Sequence, residues 1–357
     1  MKKSVYIIAE AGVNHNGNLE MAKRLLAAAA QCGCDAVKFQ TFRADRVASR
    51  LAGKCPYQIK ATGRIESQYE MIRRLELDEE AHRELMALAR DAGIEFISTP
   101  FDEESATFLV HLGVHRLKIP SGEIINGPFL AHLARLRKPL LLSTGMAYLS
   151  EVDEAIRIIQ GEWGEMGEPE NGASLTLLHC TSEYPAPMEE VNLRAMETLR
   201  NAFHLPVGYS DHTPGIEVSL AAVAMGATVI EKHFTLDRSL PGPDHEASLE
   251  PPELKRLVEA IRHIETALGD GRKIPSRSEL KNRELVRKSL VATRDLPQGH
   301  RLAAGDLMAK RPGNGLSPKL KGTVIGAVLQ KEIPRDGILT WDHLLDRKEK
   351  SPVPIPW

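Results

Sequence analysis

The stretch LPVGYSDHTPGIEVSLAAVAMGATVIEKHF, residues 205–234, holds one complete repeat of the pattern that decides the fold. Two short apolar runs, at 205–208 and 227–230, are typical of buried β-strands, and the segment between them is typical of an α-helix. Each run is followed by ionisable residues, including His212 and His233. Neighbouring parallel strands end at the same edge of a sheet. The two imidazoles would therefore lie over one pocket, which suggests a divalent metal site.

The same alternation of strand and helix extends over about the first 270 residues. Apolar runs typical of strands lie at 5–9, 36–39, 95–98, 116–119, 140–143, 175–180, 206–208 and 229–232. Segments typical of helices lie at 19–31, 79–92, 103–112, 128–136, 152–160, 193–203, 216–225 and 252–268. Eight such units predict an α/β fold, a (β/α)8 TIM barrel. A doubly wound open sheet is the alternative, but no glycine-rich dinucleotide fingerprint follows the first strand.

Two parts of the chain depart from the barrel pattern of residues 1–270. Residues 41–77 separate the second strand from its helix, and form either a binding loop or a flexible surface loop. Residues 271–286 are polar and basic and are interpreted as a linker with a short helix. Turn sequences then punctuate 287–346, which predicts a small β-rich domain. Residues 347–357 are interpreted as a charged, proline-rich tail.

The composition excludes several classes of protein. The net charge is −2 and 26% of residues are charged, so no global basic field favours nucleic acid. The four cysteines form no CxxC pair and are expected to be reduced thiols. The first apolar run is too short for a signal peptide or a membrane span. We therefore expect a cytoplasmic protein with no nucleic-acid or membrane partner.

Polar side chains end almost every predicted strand, where a barrel builds its active site. A single lysine there is usually solvated, and a single histidine is usually structural. Together, however, Lys38, Lys118 and three serines suit a small and highly anionic substrate. A pair of histidines with open coordination positions suits a metal that polarises a carbonyl. The strand-end candidates include Glu10, Lys38, Gln40, Thr99, Lys118, Ser121, Glu123, Ser143, Tyr184, Ser210, His212, Glu231 and His233.

Several motifs resemble one family, the sialic acid (nonulosonic acid) synthases. They are AEAGVNHNG at 9–17, AVKFQTF at 36–42, KIPSGE at 118–123, LSTGM at 142–146, YPAP at 184–187, SDHT at 210–213, IEKHF at 230–234 and GPDH at 242–245. The motif KRPGNGL at 310–316 resembles the signature of the SAF (antifreeze-like, β-clip) domain that such synthases carry. The resemblance covers nearly the whole chain, so we expect a TIM barrel followed by a SAF domain.

The resemblance implies a metal-dependent transferase. Such enzymes condense phosphoenolpyruvate with the open-chain aldehyde of an N-acylated hexosamine, here expected to be N-acetylmannosamine, giving N-acetylneuraminate and phosphate. A domain-swapped homodimer is expected, in which Arg311 completes the sugar site of the neighbouring subunit. One departure concerns Ser182, because some members have asparagine at that position. The acceptor sugar is therefore not settled by the resemblance.

The site residues also follow from the resemblance. Phosphoenolpyruvate would be held by Lys38, Lys118, Ser121, Ser143 and Ser210. A divalent ion, Mn²⁺ by resemblance with Mg²⁺ or Co²⁺ as alternatives, would be bound by His212 and His233. The proton-handling residues would be Glu10 and Glu123, with Glu123 activating the attacking water. The sugar would be contacted by Gln40, Tyr184, Asp244 and Arg311.

Two alternatives stay open. The same chemistry could act on a 2,4-diacetamido-trideoxyhexose, giving legionaminic or pseudaminic acid, while a phosphorylated hexosamine has less support because no second phosphate-binding cluster is evident. In a different class, the chain could be a non-catalytic glycan-binding relative. The presence of Lys38, Glu123, His212 and His233 together argues against that class.

Overall fold

The computed structural model describes residues 4–63, 66–165 and 174–344. The chain divides into two compact units, Met1–Asp270 and Gly271–Trp357, and each is considered by itself. The tail predicted at 347–357, and the last two residues of the predicted small domain, lie outside the described residues. No helix within the described ranges is both long enough and apolar enough to cross a membrane.

The first unit is built on eight parallel strands. They are β1 (Tyr6–Gly12), β2 (Ala36–Thr41), β3 (Glu95–Pro100), β4 (Leu117–Ile119), β5 (Leu140–Ser143), β6 (Leu175–His179), β7 (Val207–Asp211) and β8 (Val229–His233). Their order in the sheet is β3-β2-β1-β8-β7-β6-β5-β4, and β3 and β4 lie side by side. The sheet therefore closes into a barrel. The prediction of a (β/α)8 TIM barrel is confirmed, and the open-sheet alternative is wrong.

Helices cover the outside of the barrel. They are α1 (Leu19–Gln31), α5 (Glu79–Ala92), α6 (Glu103–Leu112), α7 (Gly127–Arg135), α8 (Leu149–Glu165), α9 (Ala195–Phe203), α10 (Glu217–Ala224) and α11 (Pro251–Leu268). Local chemistry fixes several of their ends. The side chains of Asn18, Asp78 and Asp102 accept backbone hydrogen bonds at the starts of α1, α5 and α6. Gly93 and Gly113, with positive φ, end α5 and α6.

Strand alternation gives the barrel interior two layers with different chemistry. At the amino ends, the inward side chains form a small apolar cluster that contains Ile8, Ala36, Ile97, Leu141, Leu178 and Val229. Two residues further along the same strands, the inward side chains include Glu10, Lys38, Thr99, Ser143, and Glu231. Because side chains two residues apart share a face of a strand, the apolar layer supports the polar one. The polar layer lies at the carboxyl ends.

The insertion between β2 and α5 is folded. It contains three short helices, α2 (Ala44–Val47), α3 (Pro56–Thr62) and α4 (Gln68–Arg73). Phe42, Met71 and Leu75 are buried together with Val13 from the β1–α1 loop, in a small core separate from the main one. This packing favours the binding-loop interpretation over a flexible surface loop.

The second unit has its own core and its own sheet. Its elements are α12 (Arg277–Val286), β9 (Ser289–Ala292), β10 (Leu307–Lys310) and α13 (Lys321–Val324), and β9 pairs with β10 in antiparallel fashion. Ten buried hydrophobic residues, from Leu290 to Leu339, form its core. The segment interpreted as a linker, 271–286, includes the exposed helix α12.

A buried ion pair ties β7 to β8 on the outer face of the strands, next to helix α10. The Nζ of Lys232 lies 3.0 Å from the Oδ2 of Asp211, and both side chains are fully buried. The carboxylate also accepts hydrogen bonds from Thr213 and from Ser219 on α10. Since Ser210, His212, Glu231 and His233 flank this pair in sequence, it fixes the backbone that carries them.

Replacing Lys232 by methionine leaves the buried Asp211 carboxylate without its counter-charge. We expect Lys232→Met to lower the free energy of unfolding by about 3–5 kcal/mol. The measurement is unfolding in urea monitored by circular dichroism. The matched control is Lys255→Met, an exposed position on α11, which should change stability by less than about 0.5 kcal/mol. Equal stability of the two variants would contradict a structural role for the pair.

Candidate active site

A cavity of about 380 Å³ lies over the polar layer of the barrel. This volume falls within the range of small-molecule sites. Its walls come from two sources: the carboxyl ends of the strands with their following loops, and the folded insertion. The strand-end and loop residues that line it include Glu10, Lys38, Gln40, Thr99, Lys118, Ser121, Ser143, Tyr184, Ser210, His212, Glu231, His233 and Asp244.

Two buried lysines and two buried glutamates form the base of the cavity. The Nζ of Lys38 lies 2.6 Å from the Oε2 of Glu10 and donates a hydrogen bond to Thr99. The Nζ of Lys118 lies 3.2 Å from the Oε1 of Glu231. Glu231 also faces Lys38, at 3.9 Å. All four ionisable side chains are at least 95% buried, so their charges interact strongly.

The two carboxylates have different proton affinities. Burial raises the pKa of Glu10 to about 7, against the opposing effect of Lys38. Burial acts in the same direction on Glu231, but Lys118 and Lys38 outweigh it and lower the pKa of Glu231 to about 2. Near neutral pH one carboxylate of the cluster is therefore ionised and the other titrates, beside the two lysine side chains. The excess positive charge suits an anionic ligand.

Serine hydroxyls surround the lysines. Ser210 donates a 2.9 Å hydrogen bond to Glu231. Ser121 accepts a 3.0 Å hydrogen bond from the backbone N–H of Gly145, and its Oγ lies 3.2 Å from the Sγ of Cys180. The Oγ of Ser143 is buried and has no hydrogen-bond partner within the described residues. These hydroxyls can donate to a bound anion.

The two strand-end histidines lie next to each other, with ring centroids 5.5 Å apart. The Nδ1 of His212 is 2.5 Å from the carbonyl oxygen of Thr181. A carbonyl can only accept, so Nδ1 carries the proton and Nε2 keeps its lone pair. Burial lowers the pKa of His212 to about 4, and burial together with His212 and Lys38 lowers the pKa of His233 further below its ordinary value. Both rings are therefore neutral.

Neutral imidazoles with a free ring nitrogen are good metal ligands. Within the described residues, the Nδ1 of the buried His233 has no hydrogen-bond partner. The same part of the chain contains no group of three or more His, Cys, Asp and Glu side chains arranged to hold a metal. The donor set thus fits a divalent ion held by two protein ligands, with its other positions left to solvent or substrate.

Aromatic and acidic groups complete the site. The centroid of the Tyr184 ring lies 4.2 Å from the centroid of the His212 ring. It lies 5.1 Å from the centroid of the ring of Tyr57, a residue of the insertion. Asp244 has one carboxylate oxygen 3.9 Å from the Nδ1 of His233. Burial raises the pKa of Asp244 to about 6, with Lys38 opposing the shift. This corner of the cavity offers hydrogen bonds and stacking surfaces to a neutral polar ligand.

The structure brings together all of the predicted site residues except two. Glu123 lies in the turn Ser121–Glu123, accepts a 2.7 Å hydrogen bond from Asn126, and does not line the cavity. The prediction that Glu123 activates the water therefore has no support in this geometry, and Glu10 is the better placed carboxylate. Arg311 belongs to the second unit, where it is exposed. Its action across a dimer stays a prediction.

Among the cavity residues to which the sequence motifs assign no role are Glu231, Thr99 and Tyr57. Glu231 was recognised only as a strand-end residue, although its position two residues before His233 places both side chains on one face. Thr99 is likewise a polar residue at the end of a predicted strand, here β3. No sequence pattern points to Tyr57, because only the fold of the insertion brings it against Tyr184.

Comparison with known proteins gives consistent results. The NeuB family model matches residues 25–273, and the SAF domain model matches residues 287–345. An N,N'-diacetyllegionaminic acid synthase of Campylobacter jejuni is 53% identical over 95% of this chain and 99% of its own length. A protein of the same name from Legionella pneumophila is 52% identical over 95% of this chain and 94% of its own.

A solved structure is also similar. The N-acetylneuraminic acid (sialic acid) synthetase of Leptospira borgpetersenii, in complex with citrate, superposes with a TM-score of 0.67 at 36% identity. The match covers 78% of this chain and 90% of that one. Family models and solved structure agree with the barrel and the second unit described above. The chain is therefore an enzyme that belongs to the NeuB family of synthases and carries a C-terminal SAF domain.

Proposed function

We propose that this enzyme condenses phosphoenolpyruvate with the open-chain aldehyde of a 2,4-diacetamido-2,4,6-trideoxyhexose, forming N,N'-diacetyllegionaminic acid and phosphate. The observation that carries the proposal is a single cavity in which two buried lysines lie beside two neutral histidines. The choice of sugar departs from the expectation of N-acetylmannosamine. It is supported by the two relatives above 50% identity, both named legionaminic acid synthases, whereas the sialic acid synthetase structure is 36% identical.

The charged base of the cavity is the site for phosphoenolpyruvate. Its phosphate and carboxylate would accept hydrogen bonds from Lys38, Lys118 and the hydroxyls of Ser121, Ser143 and Ser210. Glu10 and Glu231 hold the lysine side chains in place before the substrate binds. Because the ammonium groups are already ordered and desolvated, little reorganisation is needed on binding.

The reaction forms one carbon–carbon bond and breaks one carbon–oxygen bond. Carbon three of phosphoenolpyruvate attacks the aldehyde carbon, whose oxygen takes up a proton, and positive charge develops at carbon two. Water adds at carbon two and loses a proton, and phosphate then leaves with its bridging oxygen. Glu10 lies in the cavity with a pKa raised to about 7, so it can exchange protons with the reacting groups at neutral pH.

A divalent ion, Mn²⁺ by family resemblance, is part of the proposal. When bound, it would polarise the aldehyde oxygen as a Lewis acid. His212 and His233 are the residues that would hold it, since each is neutral and buried. The Thr181 carbonyl fixes the tautomer of His212 that presents Nε2 to the cavity. Tyr184, whose ring packs against that of His212 at a tilt of 33°, limits the directions from which the sugar can approach.

Some expectations stay predictions. They are the domain-swapped homodimer, the action of Arg311 on a partner's site and the cytoplasmic location. The non-catalytic, glycan-binding alternative has little support, because the cavity retains a complete set of buried charges and a pair of potential metal ligands.

The acceptor is tested by incubating the protein with phosphoenolpyruvate, Mn²⁺ and a panel of N-acylated hexosamines. We expect phosphate release with the 2,4-diacetamido-trideoxyhexose at a kcat/KM at least about 10 times that with N-acetylmannosamine. Mass spectrometry should show a product that has gained one pyruvate unit. If none of the acceptors supports phosphate release, the enzymatic proposal is refuted. Preference for N-acetylmannosamine would refute the choice of sugar.

The metal site is tested by His212→Ala and His233→Ala. Each variant should lower the affinity for Mn²⁺ by at least about 100-fold, because removing a ligand costs more than removing a supporting residue. Equilibrium dialysis with measurement of bound Mn²⁺ gives this affinity without reference to activity. The control is His263→Ala, an exposed position on α11. If both histidine variants retain Mn²⁺ as the control does, the ligand assignment is wrong.

A further inference from the structure

The cavity has a second wall whose chemistry differs from that of its charged base. The insertion supplies it through five apolar side chains, which we call the insertion wall: Phe42, Val47, Met71, Ile72 and Leu75. Among the described residues that the insertion contributes to the cavity there is no Asp, Glu, Lys, Arg or His. The mechanism described above gives this wall no role.

The insertion wall is held in place by its own packing. Phe42, Met71 and Leu75 are buried against Val13, and Ile72 packs on the same cluster. The ring of Phe42 makes an edge contact with Phe101, with centroids 5.9 Å apart. A wall with a packed core behind it can discriminate between ligands, because its shape does not adapt freely to each of them.

Helix α4, which carries Met71 and Ile72, is anchored at its start. The side chain of Ser67 accepts a hydrogen bond from the backbone N–H of Glu70, and the Glu70 carboxylate accepts from the N–H of Ser67. The backbone N–H of Gln68 donates to the carbonyl oxygen of Ala52. These bonds fix the start of the helix relative to the rest of the insertion.

A continuous series of contacts leads from the histidine pair to the insertion. His212 contacts Tyr184, and Tyr184 contacts Tyr57 on helix α3. Tyr57 also accepts a 3.2 Å hydrogen bond from Gln58, which lines the cavity. The histidines and the insertion wall line the same cavity, so there is room for a hexose whose aldehyde carbon faces the histidines to extend its remote carbons past Tyr184 toward the insertion.

We propose that the insertion wall is the specificity pocket for the remote half of the acceptor, receiving the acetamido methyl at carbon four and the methyl at carbon six. This inference rests on the proposed function. N-acetylmannosamine has hydroxyl groups at those carbons, and a hydroxyl placed against apolar side chains loses its hydrogen bonds to water without replacement. The methyl groups of the trideoxy sugar gain favourable burial at the same place.

The test is a pair of substitutions that make the wall polar. Ile72→Asn and Val47→Asn each place an amide in the cavity, and Val47 is 37% exposed, so its replacement puts little of the fold at risk. Leu51→Asn is the matched control, since Leu51 belongs to the same insertion, is 96% exposed and does not line the cavity. Melting temperatures establish that each full-length variant is folded.

The quantity measured is the ratio of kcat/KM for the 2,4-diacetamido-trideoxyhexose to that for N-acetylmannosamine, at saturating phosphoenolpyruvate and Mn²⁺. The ratio should fall at least about tenfold in Ile72→Asn and Val47→Asn and stay unchanged in Leu51→Asn. The KM for phosphoenolpyruvate should stay constant in all three, because none touches the lysines.

One result would overturn the inference, and it differs from failure of the proposed function. In that result the ratio is unchanged in both wall variants although the wild type uses the trideoxy sugar, whether each kcat/KM stays constant or both fall by the same factor. If the wild type releases no phosphate with either acceptor, the proposed function is refuted, and the inference with it.

Discussion

The pairing of two buried lysines with two buried glutamates is the constraint on which the site depends. Lys38 and Lys118 enter the barrel from β2 and β4, and Glu10 and Glu231 meet them from β1 and β8. Burying an unpaired ammonium group costs several kcal/mol, on the order of what holds a whole domain together. The glutamates offset the free-energy cost of burying the lysines while the cavity is empty, and they leave enough positive charge to bind an anion.

Period-two alternation made much of the barrel predictable. Glu10 follows Ile8 on one face of β1, and Glu231 and His233 share a face of β8, so an apolar layer beneath a polar one could be expected. The ion pair of Lys118 with Glu231 could not, because its partners are 113 residues apart and meet only when the barrel closes. The orientation of Glu123 and the contact of Tyr57 with Tyr184 likewise depend on how loops pack.

In the proposed function, the two substrates bind to parts of the cavity with different physical origins. The charged base belongs to the barrel strands, where backbone hydrogen bonding fixes the position of each side chain. It suits phosphoenolpyruvate, the substrate that stays the same whichever sugar is the acceptor. The insertion wall belongs to a loop with a small core of its own, which can change without disturbing the strands. If the insertion wall sets the choice of sugar, this division would explain how synthases of one family can share a fold yet have names specifying different sugars.

The central claim is that the lysine–glutamate cluster binds phosphoenolpyruvate. Titration calorimetry with phosphoenolpyruvate, on the wild type, Lys118→Met and the exposed control Lys255→Met, tests it most directly. A charge-assisted hydrogen bond contributes about 1.5–3 kcal/mol, so Lys118→Met should weaken binding by about 10- to 100-fold, with the control unchanged. Equal affinity of Lys118→Met and the wild type would contradict the account.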